Sequence, residues 1–240
     1  ENYEVLRMSN GTVNTASMTT AISKLAERNV LIIFTIKQLI KQGRKILLLS
    51  SRKGHLHTIK EMLDAEGLKH PETGKYVTYG FYYGKKGMTR DAHRKLLGES
   101  AKCDIVLGID FIAKEGLDIP NLNTLIFSTP PGIEIEQPVG RILRKFHKDV
   151  NPLVIDLVDN TGNYVKHSRE RDKWYKEEGY VIQQETIELI GDSHWSEQVQ
   201  SYIHTKNPPP RKISVSEPVK SPEPELDDCF LVSKKEKALI

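Results

Sequence analysis

Cysteine is nearly absent from this chain: its 240 residues include only Cys103 and Cys229. Two thiols so far apart cannot form a disulfide framework, and neither lies in a metal-ligand spacing, which favours a reduced, intracellular protein. Long apolar runs are also missing. The longest patch, Val30 to Phe34, falls far short of the roughly 20 residues that span a bilayer, and no secretory leader pattern is present. Nor does charge of one sign dominate: 35 Lys and Arg stand against 32 Asp and Glu, a net charge of +3. That balance permits nucleic-acid contact without demanding it. No Gly-x-x-x-x-Gly-Lys-Ser/Thr loop occurs, since Gly74-Lys75-Tyr76 and Gly84-Lys85-Lys86 both fail it. No acidic Mg²⁺-binding tetrad follows a strand either. The chain opens at Glu1, in mid-pattern, and reads as a piece of something longer.

What is present is an alternation of short apolar runs and amphipathic stretches. Strands are predicted at Lys45–Ser50, Tyr76–Tyr82, Asp104–Leu107, Thr124–Phe127 and Leu153–Val158, apolar at nearly every position, as strands covered on both faces should be. Helices are predicted over 28–42, 55–66, 89–97, 134–146 and 163–178, with Gly43 and Gly67 as stops for the first two. This order implies an α/β fold, a doubly wound parallel sheet with helices on both faces, whose post-strand loops gather on one edge. Residues 181–205 are ambiguous. From Asn207-Pro208-Pro209-Pro210 to Glu225 the composition turns to Pro, Ser and Glu, too polar to offset ordering entropy, so 206–240 reads as a flexible tail. Within it, Asp227 to Val232 could dock on the body or on a partner.

The segment with the most chemical content is Gln137-Pro138-Val139-Gly140-Arg141-Ile142-Leu143-Arg144. On a helix, Gln137, Arg141 and Arg144 fall at i, i+4 and i+7, one polar stripe, with Ile142, Leu143 and Phe146 on the other side. Two guanidinium groups and an amide form a donor array suited to phosphate oxygens. Gly140 beside them would let another surface approach closely. About twenty residues upstream lies Glu115-Gly116-Leu117-Asp118-Ile119-Pro120, which alone could be an ordinary turn.

Together, Glu-Gly-Leu-Asp-Ile-Pro and Gln-x-x-Gly-Arg-x-x-Arg resemble motifs V and VI of superfamily 2 helicases. Leu48-Leu49-Ser50-Ser51-Arg52 resembles motif IV, and Tyr83-Gly84-Lys85-Lys86-Gly87 falls where such proteins present a Gly-containing loop. Ile155 to Asp159, then His167, Arg169, Arg171, Tyr175 and Gly179, resemble the strand and helix that close the domain. The similarity is to the branch of XPB-type, phage UvsW-type and poxvirus transcript-release helicases, over roughly residues 28 to 180.

That resemblance implies one RecA-like lobe, the C-terminal one of two, over 28–190. Residues 1–27 would be a lead-in with an inter-lobe helix, and 191–205 a C-terminal extension. Arg141 and Arg144 match the arginines that reach the terminal phosphates of ATP, and Gln137 matches a residue near the γ-phosphate. Gly116 and Asp118 match motif V, and Gly140 accompanies them at the nucleotide. ATP and Mg²⁺ would be held mainly by a missing N-terminal lobe, so this chain alone is expected to be inactive. Ser50, Ser51, Arg52, Lys85 and Lys86 could follow a phosphate backbone of DNA, or of RNA or a DNA–RNA hybrid. A viral origin, with transcription proteins as partners and a host-cytoplasmic or virion location, follows from the same resemblance. The alternatives are a helicase-like module that binds nucleic acid or transcription proteins without turnover, and a translocating subunit of a restriction or remodelling assembly.

Other features have plainer readings. His55 and His57 lack further ligands and read as surface polarity. Trp174 and Tyr175 read as core or rim packing. Lys166, Arg169, Arg171 and Lys173, offset by Glu170, Asp172 and Glu177, read as a mixed-charge exposed face.

Overall fold

The computed structural model describes residues 7–84, 89–110, 119, 121–143, 150–159, 162–187 and 227–234, with backbone alone at 162, 184–187 and 227–234. Its helices and strands run α1 (Thr15–Ile22), α2 (Ala26–Lys41), β1 (Ile46–Ser50), α3 (Lys53–Glu66), β2 (Tyr79–Tyr82), α4 (Arg90–Ser100), β3 (Ile105–Ile109), β4 (Thr124–Phe127), α5 (Glu136–Ile142), β5 (Leu153–Val158), α6 (Gly162–Glu177), β6 (Tyr180–Ile187) and β7 (Asp227–Lys234). The sheet order is β2-β3-β1-β4-β5-β7-β6. The first five strands are parallel, with Leu47 aligned to Val106 and Leu125 on either side. The α/β lobe with a covered parallel sheet is therefore present.

Alternation along the strands sorts the core into two layers. Ile46 and Leu48, with Ile105, Leu107, Ile126 and Ile155, pack under α2 and α3. Leu47 and Leu49, with Val106, Leu125, Phe127 and Val154, pack against α5 and Tyr175 of α6. Apolar residues occupy nearly every position of β1, β3 and β4 because both faces are buried. Local signals agree with the ends. Asn14 caps α1, its side chain accepting the Ser17 N–H at 3.0 Å. Gly67 ends α3 in the left-handed region at φ 54°. Gly80 lets α4 approach β2: a Cβ there would lie 2.7 Å from the Cα of Ser100.

Three expectations shift. The second strand begins at Tyr79, because Tyr76 pairs back with Lys69 in a turn. The start of the ambiguous region is strand, since β6 runs Tyr180–Ile187. The Asp227–Lys234 run inside the supposed tail is strand too, lying antiparallel between β5 and β6. A parallel sheet ending at β5 would leave a row of open backbone groups, and the β-forming sequence Cys229-Phe230-Leu231-Val232 satisfies them. Among the described residues no helix is long and apolar enough to cross a membrane.

Candidate nucleotide and nucleic-acid interface

The helix α5 follows β4 through Ser128, Thr129, Pro130 and Pro131, all buried, and an exposed turn at 132–134. Pro138 sits in its first turn, where a backbone N–H has no helical partner to lose. Pro138, Val139 and Ile142 are buried, Gln137 is exposed, and Gly140 and Arg141 are half-buried. Gln137 and Arg141 thus share the polar side of a helix whose other side is anchored in the core. Among the described residues a Cβ on Gly140 would meet nothing within 4 Å, which leaves open space beside the helix there. Beside α5 lies an open depression of roughly 410 Å³ where β1, β3 and β4 end, lined by Leu49, Asp110, Phe127, Gly132, Pro138 and His167. Strand order diverges there, the place where such sheets form a crevice. Partial burial, then Arg171 and Lys166, lower the pKa of His167.

Two buried ion pairs hold this edge in place. Arg171 of α6 grips Asp156 of β5 through two hydrogen bonds of 2.6 and 2.9 Å, both side chains 2% exposed. Its remaining nitrogen donates to the Pro131 and Gly132 carbonyls at 3.2 and 3.4 Å, fixing the loop that enters α5. This corrects the reading of Arg171 as part of an exposed face. Its signal was Asp156, a carboxylate within an apolar strand that requires a cation. Likewise Arg28 of α2 takes Asp159 in a two-point contact at 2.8 and 3.1 Å and donates to the Ser128 carbonyl. Sequence reasoning missed that pair altogether, since Arg28 stands alone in an apolar helix.

At the end of β1 the predicted residues separate. Ser50 is fully buried: its Oγ accepts the Arg52 N–H at 3.1 Å and donates to His55 Nδ1 at 3.1 Å. The Asn29 amide nitrogen donates to the Ser23 carbonyl, so its oxygen accepts the His55 Nε2 proton at 2.8 Å. Ser50 is thereby an internal positioning residue, withdrawn from any phosphate. His55 is corrected with it, being 3% exposed with its pKa lowered to about 3, by burial first and Arg28 second. Ser51 stays half-buried, its N–H donating to Thr129 Oγ1 at 2.9 Å, which ties β1 to β4. Arg52 is half-buried and lies along α1, donating to Thr20 Oγ1 at 2.9 Å, the Ala16 carbonyl at 2.7 Å and the Ser51 carbonyl at 3.1 Å. Arg144, Gly116, Asp118, Lys85 and Lys86 lie outside the described residues. Among the described residues, no three His, Cys, Asp or Glu side chains converge as a metal site.

This chain is similar to the candidate ATP-dependent RNA helicase L396 of Acanthamoeba polyphaga mimivirus, 35% identical over 171 residues, covering 71% of this chain and 30% of that protein. Over most of its own length the chain is thus similar to one part of a viral helicase. A candidate helicase, 161L of Invertebrate iridescent virus 6, shares 38% identity over 80 residues, 33% of this chain and 18% of its own. The lobe thus spans under a third of the length of these curated relatives. Among solved structures it is similar to phage T4 UvsW, with a TM-score of 0.49 and 19% identity over 70% of this chain and 35% of that one. No family model matches the chain.

Proposed function

We propose that this lobe works within a longer ATP-dependent helicase or translocase, supplying guanidinium groups to the nucleotide and half of a nucleic-acid track. The observation that carries the reading is α5, which buries Pro138, Val139 and Ile142 and turns Gln137 and Arg141 to its other side. An amide and a guanidinium one turn apart fit anionic phosphate oxygens. ATP, when bound, supplies the charge that both lobes contact. Arg141 would donate to it, and by motif position Arg144, Gly116 and Asp118 would assist. The chain offers no metal cluster of its own among the described residues, so Mg²⁺ would rest on the phosphates and on another lobe. The ion pair of Arg171 and Asp156 would keep α5 in register by holding the Pro131 and Gly132 carbonyls.

For nucleic acid, Ser51 and Arg52 are the described members of the track, with Lys85 and Lys86 joining by sequence. DNA is the substrate suggested by kinship to the XPB and UvsW types, while the mimivirus relative is named for RNA. The finer assignment, to an African swine fever virus helicase of the poxvirus-like group, and with it a role in viral transcription, rests on the motif resemblance. In this reading the 240-residue chain alone binds single strands with affinity that falls steeply as salt rises, and turns over no ATP. Salt-independent binding, or nucleic-acid-stimulated hydrolysis by the chain alone, contradicts it.

A further inference from the structure

The edge of the sheet formed by β2 and α3 carries a row of rings that the nucleotide chemistry does not use. Lys53, His57, Lys60 and Asp64 fall at i, i+4, i+7 and i+11, one stripe of α3. Facing it, Tyr79, Phe81 and Tyr83 fall on one side of β2 and its exit, all packed against the same core layer. The two rows pair off. Lys53 Nζ stands 4.7 Å above the Tyr83 ring, and the His57 ring lies 4.7 Å from Phe81 and 6.2 Å from Tyr83. Phe81 and Tyr83 are 5.2 Å apart, and Lys60 stands 5.3 Å above Tyr79.

The two ends of this row differ. At the lower end Asp64 bonds both Lys60, at 2.7 Å, and the Tyr79 hydroxyl, so charge there is satisfied internally. At the upper end Lys53 and His57 are exposed, Phe81 and Tyr83 half-exposed, and among the described residues Lys53 has no carboxylate partner. The backbone that carries the upper rings is also held. The Tyr83 carbonyl is 2.9 Å from His93 Nε2, and the Phe81 carbonyl accepts from Ser100 Oγ at 2.7 Å. Exposed and half-exposed rings beside an ammonium that has no carboxylate partner among the described residues suit a flat, anionic polymer unit: the rings' outer parts take a base and the ammonium its phosphate. Packing accounts for the inner edges of Phe81 and Tyr83, while the imidazole of His57 and the ammonium of Lys53 lie against the same rings from the solvent side. The end lies where α3 starts, next to Ser51 and Arg52, on the same edge of the sheet.

We propose that Lys53, His57, Phe81 and Tyr83 form a stacking platform for an unpaired nucleobase, adding base contact to a track otherwise made of phosphate contacts. This rests on the nucleic-acid part of the function proposed above. The test compares an oligothymidylate with an abasic oligonucleotide of equal length, which keeps the phosphates and lacks the bases, titrated into the 240-residue chain. The platform predicts tighter binding of the thymidylate by between about fivefold and a hundredfold. That margin should disappear in Tyr83→Ala and in His57→Ala and survive in Tyr83→Phe, which keeps the ring. Equal affinity for the two oligonucleotides overturns the platform and leaves the phosphate track standing. A margin that persists in both alanine variants overturns it too, since the bases then bind elsewhere. Failure of both oligonucleotides to bind at low salt removes the platform together with the nucleic-acid reading. Because the comparison of ligands uses the unmodified chain, a variant that folds poorly does not disable it.

Discussion

Asp156 sits in the middle of an apolar strand, and only the guanidinium of Arg171 makes that position tolerable. Removing one partner strands the other charge in the interior, which costs about 3–5 kcal/mol, whereas replacing both by apolar side chains of similar size costs far less. Asp156→Ala should therefore lower the urea unfolding midpoint sharply, and Asp156→Leu with Arg171→Met should recover much of the loss. Equal losses in the single and double variants would show that the pair is not the source of the effect. His55 makes a prediction in pH. Its pKa falls from the ordinary 6.5 to about 3 in the folded chain, so the native state resists a proton that the unfolded state accepts. Its contribution is fully present above pH 6.5 and lost as pH falls from there towards 3. The slope reaches about 1.4 kcal/mol per pH unit within that window. Urea midpoints at successive pH values should show this decline, and His55→Gln should flatten it.

At the scale of elements, the two informative glycines differ. A methyl at Gly80 meets the backbone of Ser100 at 2.7 Å, so Gly80→Ala forces α4 away from β2 and should cost about 1–3 kcal/mol in stability. Gly140 has open space and sits in a helix, so Gly140→Ala should leave the fold intact or steady it by about 0.5–1 kcal/mol. If nucleotide approaches α5 closely, that same change impairs ATP hydrolysis in the complete protein without lowering its melting temperature. An unimpaired enzyme would place the nucleotide away from Gly140. The strands and most helix limits were legible because burial on both faces writes continuous apolar runs, as in Leu47-Leu48-Leu49. The amphipathic split of α5 was legible for a similar reason, Ile142 against Gln137 and Arg141, while the burial of Val139 came only with the structure. The position of Arg171 was not, because a buried arginine and an exposed one look alike until the partner strand is in place. Ser50 was misread for a related cause: its motif position says it ends a strand, and only the His55 and Asn29 contacts show that its hydroxyl turns inward.

Across the whole molecule, the C-terminal edges of β1, β4 and β5 are tied together by polar contacts that link distant segments. Arg28 joins α2 to Asp159 and Ser128, Thr129 joins β4 to Ser51, and Arg171 joins α6 to the loop before α5. A lobe built this way presents α5 as a fixed rather than a mobile feature, as transition-state stabilisation by a positioned charge requires. The account therefore stands on Arg141. Its most direct test is the ATP turnover of the complete protein at saturating nucleic acid, wild type beside Arg141→Ala and Arg141→Lys. Both variants should lose about 10³-fold or more in kcat while nucleic-acid affinity holds, because a lysine point charge cannot replace the guanidinium fork. Turnover unchanged in Arg141→Ala would contradict the account and leave a helicase-like module that binds without driving hydrolysis.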